Sequence, residues 1–440
     1  MVNKKNILKI DEIFYELNDD ELIIFFADYF TKFPFDDQYN SYLYNALKFT
    51  YPIKANLIKN NIKAPCFGLD FYRSHAKNKI SIEQINKNDF HELIQYSPKQ
   101  VEYNTIQSVG LGDFNKKVFH IDINNTTHSI IQLKDSSAYI STTGCSVFNH
   151  EGVFIDGICN SDGLLYANVD FDKILSPLKL KGRSVLLCSA WSNGYFHWVL
   201  ESLPRLLIIQ KIIDDLTKFD FYIVRQKNRF IQEFLNYLGI DESKIIEANK
   251  NPYIKFEKLI VTDSFENYFR NNIQESIPIE PWISRILRDY FPIKNDIINN
   301  KRIYIDRNNS LIRKIINYNE VKKILIKFDF EIYQFDEMSL NEKISLMQSS
   351  KYIISPAGAG LANLVFCMPS SNIMIFYNSE YLTDSFYSIC KNNKLNHFHL
   401  IVEPSRFYFD SQYPNSINED FLINLEQLEV TILMMLNQVN

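Results

Sequence analysis

The sequence predicts an α/β protein made of two halves, in each of which short apolar strands alternate with helices. Strand-length apolar runs and amphipathic stretches alternate over residues 183–262, and the same alternation returns over 301–400. A proline-containing stretch, residues 266–300, lies between them. The 440 residues also exceed one ordinary core, which favours two domains. Since strand–helix alternation is typical of a parallel sheet covered by helices, we expect two Rossmann-like domains that face a cleft.

Composition and charge exclude several classes of protein. Hydrophobic residues make up 46% of the chain and charged residues 22%, as in globular proteins, and the formal net charge of −5 argues against a general nucleic-acid binder. The six cysteines include no CxxC pair, so we expect buried reduced thiols. The N-terminus lacks the apolar core of a signal peptide, and no apolar run reaches the about 18 residues that span a membrane. We therefore expect a cytoplasmic protein, with peripheral contact at the inner face of the cytoplasmic membrane left open.

The first half of the chain changes character along its length. Apolar residues at three- and four-residue spacing predict a helical N-terminal extension over residues 1–100. Short β-rich segments follow, such as VFHIDIN and GVFIDG, and they predict a meander of strands. From residue 183, strand RSVLLCS, a helix from about Gly194 to Leu216, strand FDFYIV, a second helix and strand KLIVTD form a βαβαβ pattern. We expect residues 101–265 to form one domain that includes the β-rich segment.

The second half repeats the alternation. Strand RIYIDR leads to a helix near 318–328, strand EIYQF, and a helix that starts with Ser339 and Glu342 at the spacing of a capping box. Strand KYIIS, the loop PAGAGLAN, strand NIMIFY, another helix and strand NHFHLIV follow, and a long amphipathic helix comes last. We expect residues 301–440 to form the second domain, with 266–300 as the connector.

The stretch SNGYFHWVLESLPRLL, residues 192–207, combines polar residues with an apolar helix pattern. His197, Glu201 and Arg205 are four residues apart, so a regular α-helix would bring them to one narrow face. Pro204 has no amide proton and would kink or restart the helix beside them. The pattern predicts the lining of a site. A buried ion-paired triad that only holds the helix in place is the alternative.

The stretch YIISPAGAGLANLVF, residues 352–366, places small residues between a predicted strand and a predicted helix. Small residues let the backbone approach a ligand closely, and amides at a helix N-terminus attract anions. Asn363 stands where a dinucleotide-binding fingerprint has its third glycine, so the motif is partial, and a tight strand-to-helix turn is the alternative. The candidate ligand-binding residues of this loop are Gly358, Ala359, Gly360, Leu361 and Asn363.

Arg307 ends a predicted strand, at the edge of the sheet where open α/β folds bind ligands. Arg313 and Lys314 follow in a polar loop, and a guanidinium can hold a phosphate through two parallel hydrogen bonds. These residues predict a phosphate site, with solvated loop cations as the alternative. Glu380, near the end of a later strand, is the candidate acceptor for ribose hydroxyls.

The order of these motifs resembles glycosyltransferase family 61. The family pattern has an aromatic-His-x-x-x-acid stretch that ends in Leu-Pro-Arg, and YFHWVLESLPRL matches it. An Ile-Ser-Arg strand end corresponds to Ile305–Arg307, and Arg313 with Asn319 and Glu320 fits a following basic and Asn-Glu run loosely. A Gly-Pro-His-Gly-Ala-Gly-Leu loop corresponds to SPAGAGLANLVF. The resemblance covers about residues 183–376 and is to members of the bacterial capsule and lipopolysaccharide type.

The resemblance implies a GT-B fold, an inverting mechanism and a nucleotide-sugar donor, for which we expect a UDP-sugar, with no metal or other cofactor required. It implies a glycan or lipid-linked oligosaccharide acceptor in the synthesis of a bacterial surface polysaccharide. The family's loop histidine is Ala357 here, so the donor phosphates would need other partners. A Rossmann-type oxidoreductase and a non-catalytic scaffold of a polysaccharide assembly are the alternative functions, and self-association is left open.

An inverting transfer needs a base for the acceptor hydroxyl and positive groups for the leaving diphosphate. We expect Glu201 to be the base, with His197 as its partner or as the alternative base. The glycine loop and Arg307, with Arg313 behind it, would hold the phosphates. Ser192 or Asn193 is the expected N-cap of the helix. The supporting residues are Asn193, Tyr195 and Arg205.

Two further patterns favour structural roles over metal binding. Asp170 and Asp172 form a DxD motif, which carries a divalent metal in another class of glycosyltransferases, but they lie outside the βαβ pattern. His397 and His399 alternate along a predicted strand and face one side of it, with no third ligand in the pattern. We therefore expect no metal site.

Overall fold

The computed structural model describes residues 79–81, 85, 90–97, 108–111, 128–140, 145–158, 177–189, 192–213, 215–251, 253–263, 279–294, 297–310, 313–379, 382–402 and 420–437. The predictions for residues 1–78, for Asp170 and Asp172, and for Glu380 fall outside these ranges.

The first sheet joins nine strands in the described part of the chain. These are β1 (Lys79–Ser81), β2 (Phe90–Tyr96), β4 (His128–Ile140), β5 (Cys145–Phe148), β6 (Phe154–Asp156), β7 (Leu178–Leu186), β8 (Phe221–Val224), β9 (Ile245–Glu247) and β10 (Tyr253–Thr262). Their order is β1-β6-β5-β4-β10-β7-β8-β9, with β2 paired to β4. β10, β7, β8 and β9 pair in parallel, as the βαβαβ pattern predicts.

Strands β1 and β2 correct the helical expectation for their part of residues 1–100. β5 pairs with residues 137–140 of β4, and β2 pairs antiparallel with residues 128–133 of the same strand. β4 is therefore longer than β5 can cover, and β2 satisfies the backbone groups that would remain on that edge.

Six strands, all parallel, form the second sheet among the described residues. They are β3 (Val109–Leu111), β11 (Lys301–Ile305), β12 (Glu331–Tyr333), β13 (Ser350–Pro356), β14 (Asn372–Asn378) and β15 (Asn396–Val402), in the order β12-β11-β13-β14-β15-β3. β3 belongs to the expected first domain by sequence, yet it extends the second sheet. Gly110 permits this approach, because a Cβ there would lie 1.9 Å from the carbonyl oxygen of His399.

The α-helical segments of the described ranges are α1 (Tyr195–His197), α2 (Leu203–Ile213), α3 (Arg229–Tyr237), α4 (Pro281–Tyr290), α5 (Tyr318–Lys327), α6 (Leu340–Ser349), α7 (Ser385–Asn392) and α8 (Leu425–Asn437). Ser339 and Glu342 form the predicted capping box of α6. The segment after the glycine loop, Ala359–Phe366, is a 3₁₀ helix rather than the expected α-helix. Helix α8 buries Leu428 and Ile432 against the second sheet.

One apolar cluster joins the two halves. It contains Val185 of the first sheet, Ile375 of the second sheet and buried residues of α2, α4, α6 and α7. Arg288 of α4 also donates to the carbonyl oxygens of Val365, at 2.8 Å, and Cys367, at 2.6 Å. The separate sheets confirm the predicted α/β class with two parallel regions, and the shared cluster holds the two halves against each other.

The described cysteines agree with the prediction of buried side chains, since Cys145, Cys188, Cys367 and Cys390 are buried. Within the described ranges, no helix combines the length and the apolar character needed to cross a membrane.

Candidate active site

Both sheets contain a point where the strand order reverses. In the first sheet, β8 and β9 lie on one side of β7, and β10 lies on its other side. In the second sheet, β12 lies on one side of β11, and β13 lies on its other side. Ligands of open α/β sheets bind outside the carboxyl ends of the strands at such points. Ser189 follows β7, Arg307 follows β11 and Ala357 follows β13. The chain therefore places polar groups at both points.

The helix after β7 is interrupted by a π-helical turn. Helix α1 ends at His197, and Trp198–Ser202 forms a wider turn in which the amide of Leu203 bonds to the carbonyl of Trp198. Pro204 lacks an amide proton and cannot continue the regular ladder of the preceding turn. Helix α2 then runs from Leu203. The predicted break beside Pro204 is confirmed.

The π-helical turn places Glu201 in a buried hydrogen-bond network. Glu201 is 5% exposed, and its Oε1 lies 2.6 Å from Nδ1 of His197. Ser189 donates from Oγ to Oε2 of Glu201 at 3.4 Å, and the same Oγ lies 3.2 Å from Oγ of Ser202. The side chain of His197 is 29% exposed. A shielded carboxylate is thus bonded to an imidazole that reaches the surface, an arrangement that can take up a proton and pass it on.

The sequence analysis missed Ser189 and Arg225. Arg225, which is 2% exposed, donates from Nη2 to the carbonyl oxygen of Ser189 at 2.7 Å. It thereby fixes the residue that contacts Glu201. A signal existed for both residues, because Ser189 is the last residue of one predicted strand and Arg225 follows another, and ligands of parallel sheets bind at strand ends.

Arg205 contacts the segment that follows β6. It is 2% exposed and donates from Nη1 to the carbonyl oxygen of Ile158 at 3.2 Å. Arg205 therefore supports the helix from the side of β6.

The start of this helix connects the two halves. Its N-cap is Gly194 and not Ser192 or Asn193, because the carbonyl of Gly194 accepts the first helical bond. Asn193 is exposed. The hydroxyl of Tyr195 donates to Oδ1 of Asn363 at 2.6 Å, and burial raises the pKa of Tyr195, so the hydroxyl keeps its proton. One predicted supporting residue thus binds one predicted residue of the glycine loop.

Gly358 allows Arg307 to lie directly against the glycine loop. A Cβ on Gly358 would sit 2.0 Å from Nη1 of Arg307, so any side chain at this position would displace the guanidinium. Beyond it, Leu361 is buried, and Asn363 donates from Nδ2 to the carbonyl oxygen of Gly360 at 2.8 Å. The sequence prediction that Arg307 and this loop form one site agrees with their contact.

Two guanidinium groups meet at this loop. Arg313 donates from Nη1 to the carbonyl oxygen of Ala357 at 3.2 Å. Burial, and then the positive charge of Arg313, lower the pKa of Arg307 from 12.5 to about 10, while Asp336 opposes the shift. Nε of Arg307 is buried and has no hydrogen-bond acceptor among the described residues. The excess of positive charge and donors is suited to a phosphate.

The two histidines of β15 pack inside the second half. Nδ1 of His397 and Nδ1 of His399 lie 2.7 and 2.6 Å from Oγ of Ser108. Burial lowers the pKa of His397 to about 3, so the ring is neutral. Within the ranges that the structure covers, no group of three or more His, Cys, Asp or Glu side chains is placed to hold a metal ion.

The family comparison covers both parts of this site. Residues 195–374 match the family model described as Glycosyltransferase 61. Over these residues the chain is similar to glycosyltransferase family 61. The matched segment starts with the helix of His197 and Glu201 and runs past Arg307 and the glycine loop, so the resemblance seen in the motifs is confirmed. This match suggests glycosyltransferase activity. No curated protein matches the chain.

Proposed function

We propose that the protein is an inverting glycosyltransferase with a GT-B arrangement of its two halves. It moves a sugar from a nucleotide-sugar donor, a UDP-sugar, to a glycan or lipid-linked acceptor of a bacterial capsule or lipopolysaccharide, without a required metal or cofactor. The observation that supports this best is the pair formed by buried Glu201 and partly exposed His197, with 2.6 Å between Oε1 and Nδ1, on the helix that binds the glycine loop through Tyr195.

The acceptor side supplies the base. Glu201 takes the proton of the acceptor hydroxyl, directly or through His197, as the acceptor oxygen attacks the anomeric carbon. The new glycosidic C–O bond forms while the bond from the anomeric carbon to the diphosphate breaks, so the configuration inverts. Ser189 steadies the carboxylate through its hydroxyl, and His197 orients it through Nδ1.

The donor side stabilises the leaving group. Negative charge develops on the diphosphate as the bond breaks, and positive groups already in place stabilise that charge without reorganisation. Arg307 and Arg313 both contact the glycine loop and are the groups we assign to the phosphates. They supply the positive charge at a loop where Ala357 replaces the histidine of the family pattern.

The acceptor that we propose determines where in the cell the reaction takes place. We place the protein in the cytoplasm, with peripheral contact at the inner face of the membrane where a lipid-linked acceptor would be presented. The replacement at Ala357 favours one alternative, a non-catalytic scaffold of a polysaccharide assembly. A dinucleotide-dependent oxidoreductase would leave the Glu201–His197 pair without a role.

Incubation with a panel of nucleotide sugars and candidate acceptors tests the proposal. The expected result is release of nucleoside diphosphate, with transfer to an acceptor and inversion at the anomeric carbon observed by NMR. Loss of turnover in Glu201→Gln, with donor binding retained, would assign the base. If the chain binds acceptor glycans but turns over no donor in the panel, the scaffold function replaces the enzymatic one.

A further inference from the structure

A cavity of about 490 Å³ opens at the carboxyl ends of β11 and β12. Its volume lies within the range of about 300–1,000 Å³ that is typical of small-molecule sites. Asp306, which directly precedes Arg307, forms part of its wall, and Tyr333, the last residue of β12, forms another part. The cavity therefore adjoins the arginine site at the point where the strand order reverses around β11.

Hydrogen bonds between the neighbouring strand ends form the cavity wall. Asp306 accepts from the hydroxyl of Tyr318 at 2.8 Å and from the amide of Asn308 at 2.9 Å. Nδ2 of Asn309 donates to Oε1 of Gln334 at 2.6 Å, which ties the loop after β11 to the end of β12. The carboxylate of Asp306 is thus used inside the protein, and the wall is formed before any ligand binds.

Two charged side chains that line the cavity are exposed and remain available to a ligand, unlike the carboxylate of Asp306. Glu337 and Lys322 are exposed and line the cavity, and their side chains make no hydrogen bond with other described residues. Tyr333 and Tyr318 contribute aromatic rings, and Ile332 adds apolar surface. Asp306 and Glu342 are bonded within the protein, Glu342 to Ser339, which leaves the carboxylate of Glu337 and the ammonium of Lys322 for a ligand. Two aromatic rings beside these groups suit a ligand that has a planar face, hydroxyl donors and carbonyl acceptors.

We propose that this cavity receives the nucleoside of the donor, with the base against Tyr333 and the ribose hydroxyls donating to Glu337. The proposal rests on the proposed function, because it takes the diphosphate to lie on Arg307 and the glycine loop. The position agrees with a general feature of doubly wound sheets, in which an acidic residue after the second strand binds the ribose. Here β12 is the second strand of its half, and Glu337 follows it. Glu380 is the competing ribose acceptor.

Calorimetric titration with UDP and with inorganic pyrophosphate separates the nucleoside from the phosphates. In Glu337→Gln and Tyr333→Ala the dissociation constant for UDP should rise about tenfold or more, the scale of a lost charge-assisted hydrogen bond or stacked ring, while that for pyrophosphate stays unchanged. Arg307→Ala should weaken both ligands. The matched control is Asp329→Asn, which removes one exposed carboxylate at the opposite end of β12 and should change neither.

Each outcome of this titration has a distinct meaning. If the wild-type chain binds UDP but Glu337→Gln and Tyr333→Ala bind it equally well, the cavity is not the nucleoside site and the proposed function stands. If Glu380→Gln alone loses UDP affinity, the ribose lies at Glu380 and the assignment of Glu337 is overturned. If the wild-type chain binds neither UDP nor pyrophosphate, the donor site itself is wrong, and the cavity assignment falls with it.

Discussion

His128 in the first half and Arg307 in the second are cations with opposite surroundings. His128 is 1% exposed, with Nδ1 3.3 Å from Asp263 and Nε2 3.6 Å from Glu280. Burial lowers the pKa of His128, but the hydrogen bonds that His128 donates to these two carboxylates, together with their negative charge, outweigh burial and raise the pKa to about 9. Arg307 lies beside Arg313, and its pKa is lowered to about 10. The first cation is neutralised by two carboxylates, whereas the second forms no ion pair with the acidic residues that the structure describes.

The difference in their partners indicates a structural role for His128 and a ligand-binding role for Arg307. Asp263 precedes residues 264–278 and Glu280 follows them, so His128 holds both ends of this connecting stretch. Glu280 is also the N-cap of α4, which is bonded to the second half through Arg288. His128 thus has a complete set of partners that join the halves. The arginine site carries an excess of positive charge, which is the property that the proposed phosphate site requires.

Glu201→Gln should have the largest effect of the substitutions considered. The amide keeps the shape of the carboxylate but cannot accept the acceptor proton, so turnover should fall about 10²–10⁴-fold. UDP affinity should stay near the wild-type value, because the phosphates are held in the other half. Initial rates and melting temperature are measured on the same preparations. His197→Ala should lower turnover less if His197 only orients Glu201.

The matched control for Glu201→Gln is Glu242→Gln, an exposed carboxylate of the same half. It should retain both turnover and melting temperature. A purely structural role of the pair predicts parallel losses of melting temperature and activity in Glu201→Gln and His197→Ala. Full activity in both variants would end the catalytic interpretation of this helix.

The sequence motifs predicted which residues form the site, but they did not predict the π-helical turn on which Glu201 lies. Glu201 and His197 are bonded, and Arg307 does lie on the glycine loop, because strand ends and small residues are visible in the sequence. The bond from Arg205 to the carbonyl oxygen of Ile158 was not predicted, because the two residues lie 47 positions apart and helix spacing carries no information on such a contact. The apolar periodicity predicted a helix where β2 lies. The strand forms because it pairs with the free edge of β4, and such a tertiary contact is not visible in local residue spacing.

The stability of the first half should depend on pH through His128. The folded-state pKa of about 9 exceeds the ordinary value of 6.5, so charged His128 stabilises the fold fully below pH about 6.5. That stabilisation, about 3 kcal/mol from the size of the shift, should be lost as the pH rises towards 9 and beyond. Urea unfolding at pH 6 and at pH 9.5 measures the loss. In His128→Gln the difference between the two pH values should shrink by this amount; an equal difference in both proteins would refute the role of His128.

Arg307→Ala should separate ligand binding from stability. Donor affinity should fall by about 1–3 kcal/mol, the range for hydrogen bonds to charged groups. The unliganded protein should be no less stable, because the substitution removes a cation that burial and Arg313 disfavour. Calorimetry with UDP and urea unfolding without it give the two quantities.

Arg302→Ala is the matched comparison for Arg307→Ala at the other end of β11. Arg302 donates to the carbonyl oxygen of Phe328 at 2.9 Å and lies 3.6 Å from Asp329, so its loss should lower stability and leave UDP affinity unchanged. We therefore expect Arg307→Ala to lower UDP affinity and not stability, and Arg302→Ala to lower stability and not UDP affinity. A stability loss in Arg307→Ala as large as in Arg302→Ala would show that Arg307 is a structural cation like His128.

Tyr195→Phe should have the smallest effect and tests the hydrogen bond between the halves. The ring keeps its edge contact with Phe230 at 5.3 Å, and only the bond from the hydroxyl to Asn363 is lost. Removing one hydrogen bond should lower the free energy of unfolding by about 0.5–1.5 kcal/mol. Because Asn363 belongs to the glycine loop, KM for the donor should rise while kcat changes little.

The double variant of Tyr195 and Asn363 tests whether the two side chains act together. If Asn363→Ala and the double variant lose the same free energy of unfolding as Tyr195→Phe alone, the two side chains act as one unit. A fall in kcat as large as that of Glu201→Gln would instead place Tyr195 in the chemical step, and unchanged stability and KM would mean that this bond does not hold the loop.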